Sequence, residues 1–308
     1  FDPLKLNWIG SLNKEVNVTI AWHTSGVKTF NDLYTKELIV GGTGSGADSV
    51  VYPLLLNNLL GTKLKIIAGY PGGEDINIAM ERGEVTGRPS PSWSSLTASK
   101  AEWIRDRKII PLVQLSLSKH PDLPNVPTVL ELVSNPKHRQ VFEMFFARQE
   151  MGRPIIAPPE LAPDRLAALR AAFMATMKDP RFIALAKKQD LEILPVSGDE
   201  METIIRRIYA TPRDVVDLAI RASKSNTPIA QVKIADVVVT AAIENVAPKG
   251  ARIGFSDGGK PVEARISNSR TKITIAGKAA KRSALKAGMT CTVTYTGAGS
   301  LASKLACP

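Results

Sequence analysis

Between residues 15 and 117, short β-branched runs alternate with helical patterns, and this alternation constrains the fold more than any other feature. Four runs rich in apolar and β-branched residues predict strands; they span 15–22, 36–42, 63–70 and 109–117. The segments between them predict helices; these span 28–35, 49–61, 74–85 and 92–106. Strands that alternate with helices favour an α/β layer built on a mostly parallel sheet.

The pattern changes after residue 117. Three prolines within 118–132 predict an extended crossing between two lobes. Amphipathic spacing predicts helices over 162–180 and 180–189, with Pro180 suited to a first helical position. The segment 191–212 predicts a strand, a turn and a helix, with Ser197 as the helix cap.

Beyond Ala222 a polar segment, "SKSNTP", indicates a linker, and alternating runs then continue to the carboxyl end. The sequence "SDGG" (256–259) predicts a hairpin among them. We therefore predict four segments. They are an α/β lobe (8–117), a crossing segment with the remainder of the other lobe (118–222), a linker (223–232) and a small basic all-β domain (233–308).

Charge is concentrated in the last of these segments. Residues 223–308 hold 13 Lys and Arg against 4 Asp and Glu, whereas residues 1–222 hold 27 against 25. A basic region is either a solvated surface or a surface for an anionic partner. Nucleic acid is not expected as that partner, because no recognition motif or aromatic stacking platform accompanies the charge.

The cysteines and the apolar runs narrow the class of protein further. The only cysteines, Cys291 and Cys307, either pair in an oxidising compartment or stay as two inert thiols. No Cys and His residues stand at metal-ligand spacing, so no metal or other cofactor is expected. No apolar run reaches about 18 residues, so no membrane-spanning helix is predicted. No secretory signal lies at the amino end, and the chain begins at Phe1, so we expect its true start upstream.

The segment "IVGGTGSGADSVVYP" (39–53) joins a predicted strand to a predicted helix through a glycine-rich turn. Its glycines allow positive φ and close approach of a ligand, and unpaired amides at a helix start attract anions. The spacing matches neither a nucleotide-hydrolase phosphate loop nor a dinucleotide fingerprint. A carboxylate suits the turn better, and a tight turn without a ligand is the alternative. Pro53 is expected to bend or delay the helix.

A second glycine-rich turn, "GYPGGED" (69–75), also follows a predicted strand and precedes a helix. Because ligands gather at the carboxyl ends of strands in open α/β sheets, both turns are expected to line one crevice. Arg88 is a candidate partner for a second carboxylate, or a surface residue. Trp22 and His23 line a cleft or pack in the core, and Asp48 is a base or a helix cap.

Several motifs, in order, resemble the extracytoplasmic receptors of tripartite tricarboxylate transporters, also called Bug-type or TctC-type solute-binding proteins. They are "FDPLKLNWIGSLNKEVNV", "GGTGSGADSVVYPLLLNNLLGTKLK", "GYPGGEDINIAMERGEVTGR" and "GRPIIAPPELAPDRLAALRAAFMATMKDPRF" with "PVSGDEM" after it. The resemblance covers about residues 1–222. It implies a type II periplasmic-binding-protein-like, two-lobed α/β fold that closes on a small carboxylate. The ligand-binding residues that it implies are Trp22, Thr43, Gly44, Ser45, Gly46, Ala47, Asp48, Ser49, Tyr70, Pro71 and Gly72, to which we add Arg88.

The chain departs from the family pattern in three ways. The opening segment of the first lobe is absent, so that lobe is expected to be incomplete. Thr86 stands where relatives carry Asp, and the basic β domain is an addition.

The leading hypothesis is a periplasmic, monomeric receptor, made with a signal peptide. It captures a di- or tricarboxylate or an aromatic acid without changing it, and delivers it to membrane permease subunits. The alternatives are an α/β hydrolase or transferase that uses Asp48 or Ser49, and an envelope-binding adhesion module that acts through the basic tail.

Overall fold

The computed structural model describes residues 2–189, 191–232, 235–297 and 299–308. The helices are α1 (Asp48–Leu60), α2 (Gly73–Glu81), α3 (Trp93–Ser99), α4 (Ala101–Arg105), α5 (Val129–Leu132), α6 (Pro136–Phe146), α7 (Pro163–Thr176), α8 (Pro180–Lys188), α9 (Gly198–Tyr209) and α10 (Arg213–Ala222). The strands are β1 (Asn7–Ser11), β2 (Asn17–Trp22), β3 (Leu38–Gly41), β4 (Leu64–Ala68), β5 (Gly87–Arg88), β6 (Ile109–Leu115), β7 (Pro154–Ala157), β8 (Val196–Ser197), β9 (Ala230–Gln231), β10 (Val237–Val246), β11 (Arg252–Asp257), β12 (Lys260–Arg265), β13 (Lys272–Ile275), β14 (Lys278–Ala279), β15 (Thr290–Tyr295) and β16 (Lys304–Cys307).

The predicted α/β layer is a six-stranded sheet with the order β6-β2-β5-β3-β4-β9. β3 is parallel to β4 and β5, while β2 is antiparallel to both of its neighbours, β5 and β6. The sheet is thus mixed, because β2 runs against the common direction of β3, β4, β5 and β6. Its core is large and apolar, and Leu55, Leu38 and Val113 are fully buried within it.

Helix α1 follows β3 and packs against this core. It ends at Gly61, which takes a left-handed conformation with φ 76° and donates its amide to the Asn57 carbonyl. Pro53 lies within the helix, which runs without interruption from Asp48 to Leu60. The expectation that Pro53 would delay the helix was therefore wrong. Pro53 is the sixth residue of α1, beyond the first four amides that lack an internal partner in any helix, so it removes one internal hydrogen bond, and the helix nevertheless continues to Leu60.

A second, three-stranded sheet has the order β7-β1-β8 and is antiparallel throughout. It joins three segments that are far apart in sequence. Gly10 in β1 lets the Phe173 ring of α7 lie directly on the strand, since an added Cβ would stand 2.2 Å from that ring. On β7, by contrast, Ile155 and Ile156 remain 43% and 48% exposed.

Several predicted details of this region are confirmed. Helix α8 starts at Pro180 and is capped by Asp179. Helix α9 is capped by Ser197, which forms a reciprocal capping box with Glu200. The strand predicted before Ser197 is shorter than expected, with only Val196–Ser197 paired. Helices α6 and α10 had not been predicted.

Contacts divide the chain into two compact units. The first comprises Phe1–Ala68 and Gly83–Ala230, and holds both sheets described so far. The second comprises Gly69–Arg82 and Gln231–Pro308. Helix α2 therefore groups with the carboxyl-terminal residues, and inside this unit Asp75 of α2 pairs with Arg265 of β12 at 3.5 Å.

The second unit contains a seven-stranded sheet with the order β12-β11-β10-β15-β16-β13-β14. The predicted hairpin is present, since β11 and β12 are joined by Gly258 and Gly259, which both have positive φ. Cys291 and Cys307 form a disulfide bond between β15 and β16, beside buried apolar residues such as Val293 and Leu305. The open question of their pairing is thereby answered.

These units differ from the four predicted segments. The predicted linker contains β9, which belongs to the six-stranded sheet, and residues 69–82 leave the predicted α/β lobe for the other unit. The predicted first residues of the β domain, 233 and 234, lie outside the described residues.

Candidate functional site

The glycine-rich turn at 41–49 leaves a row of backbone amides available. Thr43 donates its amide to the Ser49 hydroxyl at 3.0 Å, and Ala47 donates its amide to the Gly44 carbonyl at 2.9 Å. Five other amides of the turn have no acceptor among the described residues; they belong to Gly44, Ser45, Gly46, Asp48 and Ser49. The last two open helix α1, where the helix dipole adds a positive partial charge.

The glycines of this turn act differently from the prediction. None of Gly41, Gly42, Gly44 and Gly46 has a positive φ. Gly42 is needed for space, because an added Cβ would lie 2.7 Å from a Val50 methyl group. Around Gly44 and Gly46 an added Cβ would meet nothing within 4 Å, and both residues are exposed. The turn therefore presents its free amides to the surface without special backbone torsions.

Arg148 stands at the start of helix α1, and nothing in its sequence context had singled it out. Its guanidinium forms an ion pair with Asp48 and donates two hydrogen bonds to the Tyr52 hydroxyl, at 2.6 and 3.0 Å. Gln149 donates a third bond to the same hydroxyl at 3.1 Å. Burial is the main reason that the pKa of Tyr52 rises to about 12. The phenol therefore stays neutral and holds Arg148 beside the turn.

Asp48 is not the predicted helix cap. The N-cap position belongs to Ala47, which has no side-chain cap bond, and Asp48 is the first helical residue. Its carboxylate is bound by Arg148 and is 40% exposed. Because the guanidinium balances this charge, the site can attract an anion through its amides.

The structure brings Arg88 to the same edge of the sheet as the turn. β5 is parallel to β3, with Gly87 level with Val40, so Arg88 is level with Gly41 at the carboxyl end of β3. Arg88 is half-buried and has interaction partners of its own. Thr86, the residue that departs from the family pattern, lies further back, where its amide bonds to Ile39.

Trp22 lies away from this edge. Its amide bonds to the Thr86 carbonyl, before β5 begins, and its partner across β2 and β6 is Ile109, the first residue of β6. Its indole ring packs edge-on against the buried Trp103, with centroids 4.9 Å apart. Of the two predicted roles of Trp22, the structure therefore supports packing, and it does not bring Trp22 to the turn.

The second predicted turn belongs to the other compact unit. Tyr70 is buried, Pro71 is exposed, and Gly72 is the N-cap of α2, with no side-chain cap bond. Gly69 has a φ of 98°, a conformation that favours glycine. The turn thus has the strand–glycine–helix form that was predicted, and a shared crevice with the first turn stays a prediction.

The surroundings of Ser49 are not those of an activated nucleophile. Its hydroxyl is bonded to the amide and hydroxyl of Thr43, at 3.0 and 3.1 Å. The histidines contact other groups: His120 bonds Glu192, His138 bonds the Leu59 carbonyl, and His23 packs on Trp22. In the part of the chain that the structure describes, no group of three or more His, Cys, Asp or Glu residues could hold a metal ion. None of the described helices is long and apolar enough to cross a membrane.

Comparison with solved structures identifies proteins with a similar fold. The chain is similar to a TctC solute binding protein from Polaromonas, solved without ligand, with a TM-score of 0.51 and 14% sequence identity over 70% of each chain. It is also similar to R. palustris Rpa4515 with adipate (TM-score 0.48, 13% identity, 75% of this chain and 72% of that one). A third is the periplasmic binding protein BugD (TM-score 0.45, 16% identity, 75% and 73%).

Sequence comparison gives no such relatives, since neither a protein-family model nor a curated protein sequence matches the chain. The similarity to the Polaromonas protein therefore rests on three-dimensional structure, and it establishes the fold. The chain has the α/β fold of a TctC-type periplasmic binding protein, as the sequence motifs predicted.

Proposed function

We propose that this chain is an extracytoplasmic solute receptor that captures a small carboxylate and does not transform it. The observation that carries the proposal is the row of five free amides at 44–49, which opens helix α1 next to Arg148. Amides with no acceptor in the protein require one from solvent or from a ligand. The fold shared with a TctC solute binding protein supports the same function.

A carboxylate fits the turn better than a phosphate does. Its two oxygens accept about four hydrogen bonds, which neutral amides can supply without Lys or Mg²⁺. Arg148 is already bound to Asp48. It therefore contributes positive charge near the turn, but its guanidinium is not free to donate two hydrogen bonds to a ligand. Each amide–carboxylate bond contributes roughly 1.5–3 kcal/mol in a desolvated site. A ligand with a second carboxylate would gain from Arg88, which lies at the same sheet edge.

Substitutions at Ser45 test this site directly. Ser45→Pro removes one free amide hydrogen, whereas Ser45→Ala keeps it and removes only the hydroxyl. We expect calorimetric titration with a panel of succinate, adipate, citrate and benzoate to find a ligand for the parent chain. Ser45→Pro should weaken that ligand by about 10- to 100-fold, the value of one such bond. Ser45→Ala should bind nearly as well as the parent.

The outcomes that would overturn the proposal are equally specific. If no carboxylate of the panel binds, or if Ser45→Pro and Gly46→Val both keep the parent affinity, the turn is not the binding site. Gly46→Val is informative because the structure has room for the new side chain, so lost binding would reflect the turn itself.

The enzymatic alternative receives less support. An α/β hydrolase would need a base beside Ser49 or Asp48, whereas Ser49 is bonded to Thr43 and Asp48 to Arg148. Turnover of any panel ligand, detected by chromatography after overnight incubation, would revive this alternative.

A second role is proposed for the carboxyl-terminal sheet. Lys272 and Lys304 are register partners on parallel strands and are both exposed, so two like charges stand directly opposite each other. Such a pair destabilises a sheet unless an anion screens it. We propose that this face contacts an anionic envelope surface. Retention on vesicles containing phosphatidylglycerol should fall as salt rises, and should fall further in Lys272→Gln/Lys304→Gln. We propose, as part of the same receptor function, that the chain acts as a monomer in the periplasm and passes its ligand to membrane permease subunits.

A further inference from the structure

The outward face of the carboxyl-terminal sheet is an array of small side chains in which threonine predominates. Strands β10, β15, β16 and β13 are adjacent in this sheet. Alternate residues along them, such as Val293, Leu305 and Ile273, are buried in the core of the second unit, so the residues between them point outward. We call these outward residues the threonine face; they are Val238, Thr240, Ala242, Thr290, Thr292, Thr294, Lys304, Ala306, Lys272 and Thr274.

Strand register places hydroxyl groups and ammonium groups side by side on this face. Thr294 on β15 is level with Lys304 on β16, and Lys304 is level with Lys272 on β13. Thr240 and Thr292 belong to the next row, about 7 Å along the strands, and their hydroxyl oxygens are 2.8 Å apart. A partner that lies on the face therefore meets both kinds of group at once.

The hydroxyl groups of the face have unused hydrogen-bonding capacity. Those of Thr274, Thr290 and Thr294 have no partner in the part of the chain that the structure describes. Thr240 and Thr292 bond only each other. Because each hydroxyl can donate one hydrogen bond and accept up to two, all five can bind a partner that carries oxygen donors and acceptors.

The charge on the face is positive beside the hydroxyl groups. Lys272 and Lys304 are both exposed and stand directly opposite each other, an arrangement that an anion would relieve. The acidic residues nearest in sequence, Asp236 and Glu244, stand near the two ends of β10, two strands away from β16, or roughly 10 Å at the usual spacing of strands. The face is thus complementary to a partner that carries negative charge.

The composition of the face favours a polysaccharide over a lipid bilayer. Segments that bind in a membrane interface bury Trp, Phe or Leu side chains there. The threonine face has none of these residues, and its only apolar members are two alanines and Val238, which is 61% exposed. Lipid phosphates would therefore engage the two lysines and leave the threonine hydroxyls unused.

We infer that the threonine face binds an acidic polysaccharide, a polymer that carries both hydroxyl and carboxylate groups. The inference rests on the contact with an anionic envelope surface proposed above, and it names the chemistry of that surface. Lys272 and Lys304 pair with carboxylates of the polymer. The threonine hydroxyls, Thr292 and Thr294 foremost, exchange hydrogen bonds with hydroxyl groups of neighbouring sugars.

Three polymers separate the two kinds of contact on the full chain. Polygalacturonate carries hydroxyls and carboxylates, its methyl ester keeps the hydroxyls without the charge, and polyacrylate carries carboxylates alone. We expect biolayer interferometry to show polygalacturonate binding at least about tenfold more tightly than its methyl ester, because the ester cannot pair with the lysines.

A double threonine variant tests the hydroxyl contacts. Thr292→Val/Thr294→Val removes two outward hydroxyls and keeps the β-branched shape that suits a strand. It should weaken the binding of polygalacturonate about tenfold and leave the binding of polyacrylate unchanged. An unchanged thermal melting curve would show that the sheet is intact.

Two lysine variants with the same change in net charge test the position of the site. Lys272→Gln/Lys304→Gln should weaken the binding of both charged polymers at least about tenfold. Lys249→Gln/Lys260→Gln changes exposed residues outside the threonine face and should bind both polymers as the parent does.

The outcomes separate this inference from the proposal on which it rests. If the parent chain is retained on phosphatidylglycerol vesicles but does not bind polygalacturonate, the inference is overturned and the contact with an anionic surface stands. Binding to neither overturns both. The inference also fails if the threonine variant binds polygalacturonate as the parent does, or if Lys249→Gln/Lys260→Gln loses as much affinity as Lys272→Gln/Lys304→Gln.

Discussion

The two sheets of the first unit are built from the same kinds of elements but are protected very differently. In the six-stranded sheet, β2 has five of its six residues buried, and the surrounding core holds Leu55 and Val113 with no exposure. In the three-stranded sheet, three of the four β7 residues are exposed. The comparison shows that a run of apolar residues predicts a strand that pairs within a sheet. Whether those residues are buried depends on which other elements cover the sheet.

The largest expected difference concerns truncation of apolar side chains. Leu55→Ala removes a fully buried side chain from α1 and should lower the free energy of unfolding by about 2–5 kcal/mol. Ile156→Ala, on the exposed β7, should cost under about 1 kcal/mol. Urea denaturation of both variants measures the contrast. Equal losses would mean that β7 is covered in solution.

A second test concerns the best-packed contact of the three-stranded sheet. Gly10→Ala would place a methyl group 2.2 Å from the Phe173 ring and should cost about 1–3 kcal/mol. Adding Phe173→Leu should recover part of this loss, because the smaller side chain makes room. If the double variant is as unstable as the sum of the two single variants, the ring and Gly10 are not in contact.

Alkaline pH should lower the free energy of unfolding through Tyr52, which lies in the core of the six-stranded sheet. Its pKa is raised by burial from 10.0 to about 12, so the folded chain retains this proton while the unfolded chain loses it. Stability is unaffected by this group below pH 10 and falls between pH 10 and 12, by about 2–3 kcal/mol. Tyr52→Phe should flatten that fall in chemical denaturation curves. Tyr209→Phe, which changes an exposed ring on α9, is the matched control.

The smallest expected effect concerns ion pairs. On the three-stranded side, Arg170 bonds the Trp8 carbonyl at 2.9 Å and pairs with Asp199 and Glu202, with its side chain 19% exposed. Arg170→Met should cost about 1–2 kcal/mol, since a hydrogen-bonded network is lost. Lys137→Met, in an exposed pair with Asp214, should cost under about 0.5 kcal/mol. If Lys137→Met lowers the free energy of unfolding more than Arg170→Met does, the exposed ion pair is the more stabilising of the two, contrary to this prediction.

Local sequence signals predicted the parts of the molecule that depend on neighbouring residues. The end of α1 at Gly61, the Ser197 cap and the turn at Gly258 and Gly259 all follow from backbone preferences over a few residues. The order of family motifs predicted the fold for a similar reason, because most of the motifs, although not the first one, contain a strand-to-helix junction. The same local reading missed α6 and α10, and expected too strong an effect of Pro53.

The candidate site was predicted only in part. The turn at 41–49 was found from its glycines, although among Gly42, Gly44 and Gly46 only Gly42 lacks room for a side chain, because of Val50. Arg148 was missed, since it is about 100 residues from Asp48 and lies in an ordinary helical sequence. Trp22 was placed with the turn by motif, whereas strand register takes it to Trp103.

The sequence by itself therefore determined the strand-to-helix junctions, the free amides that follow from them and the position of the basic domain. Only the tertiary structure decided which distant side chains meet these junctions. It brought Arg148 to the start of α1 and grouped residues 69–82 with the carboxyl-terminal sheet. The physical reason is that hydrogen-bonding preferences act over a few residues, whereas long-range contacts depend on how whole elements pack.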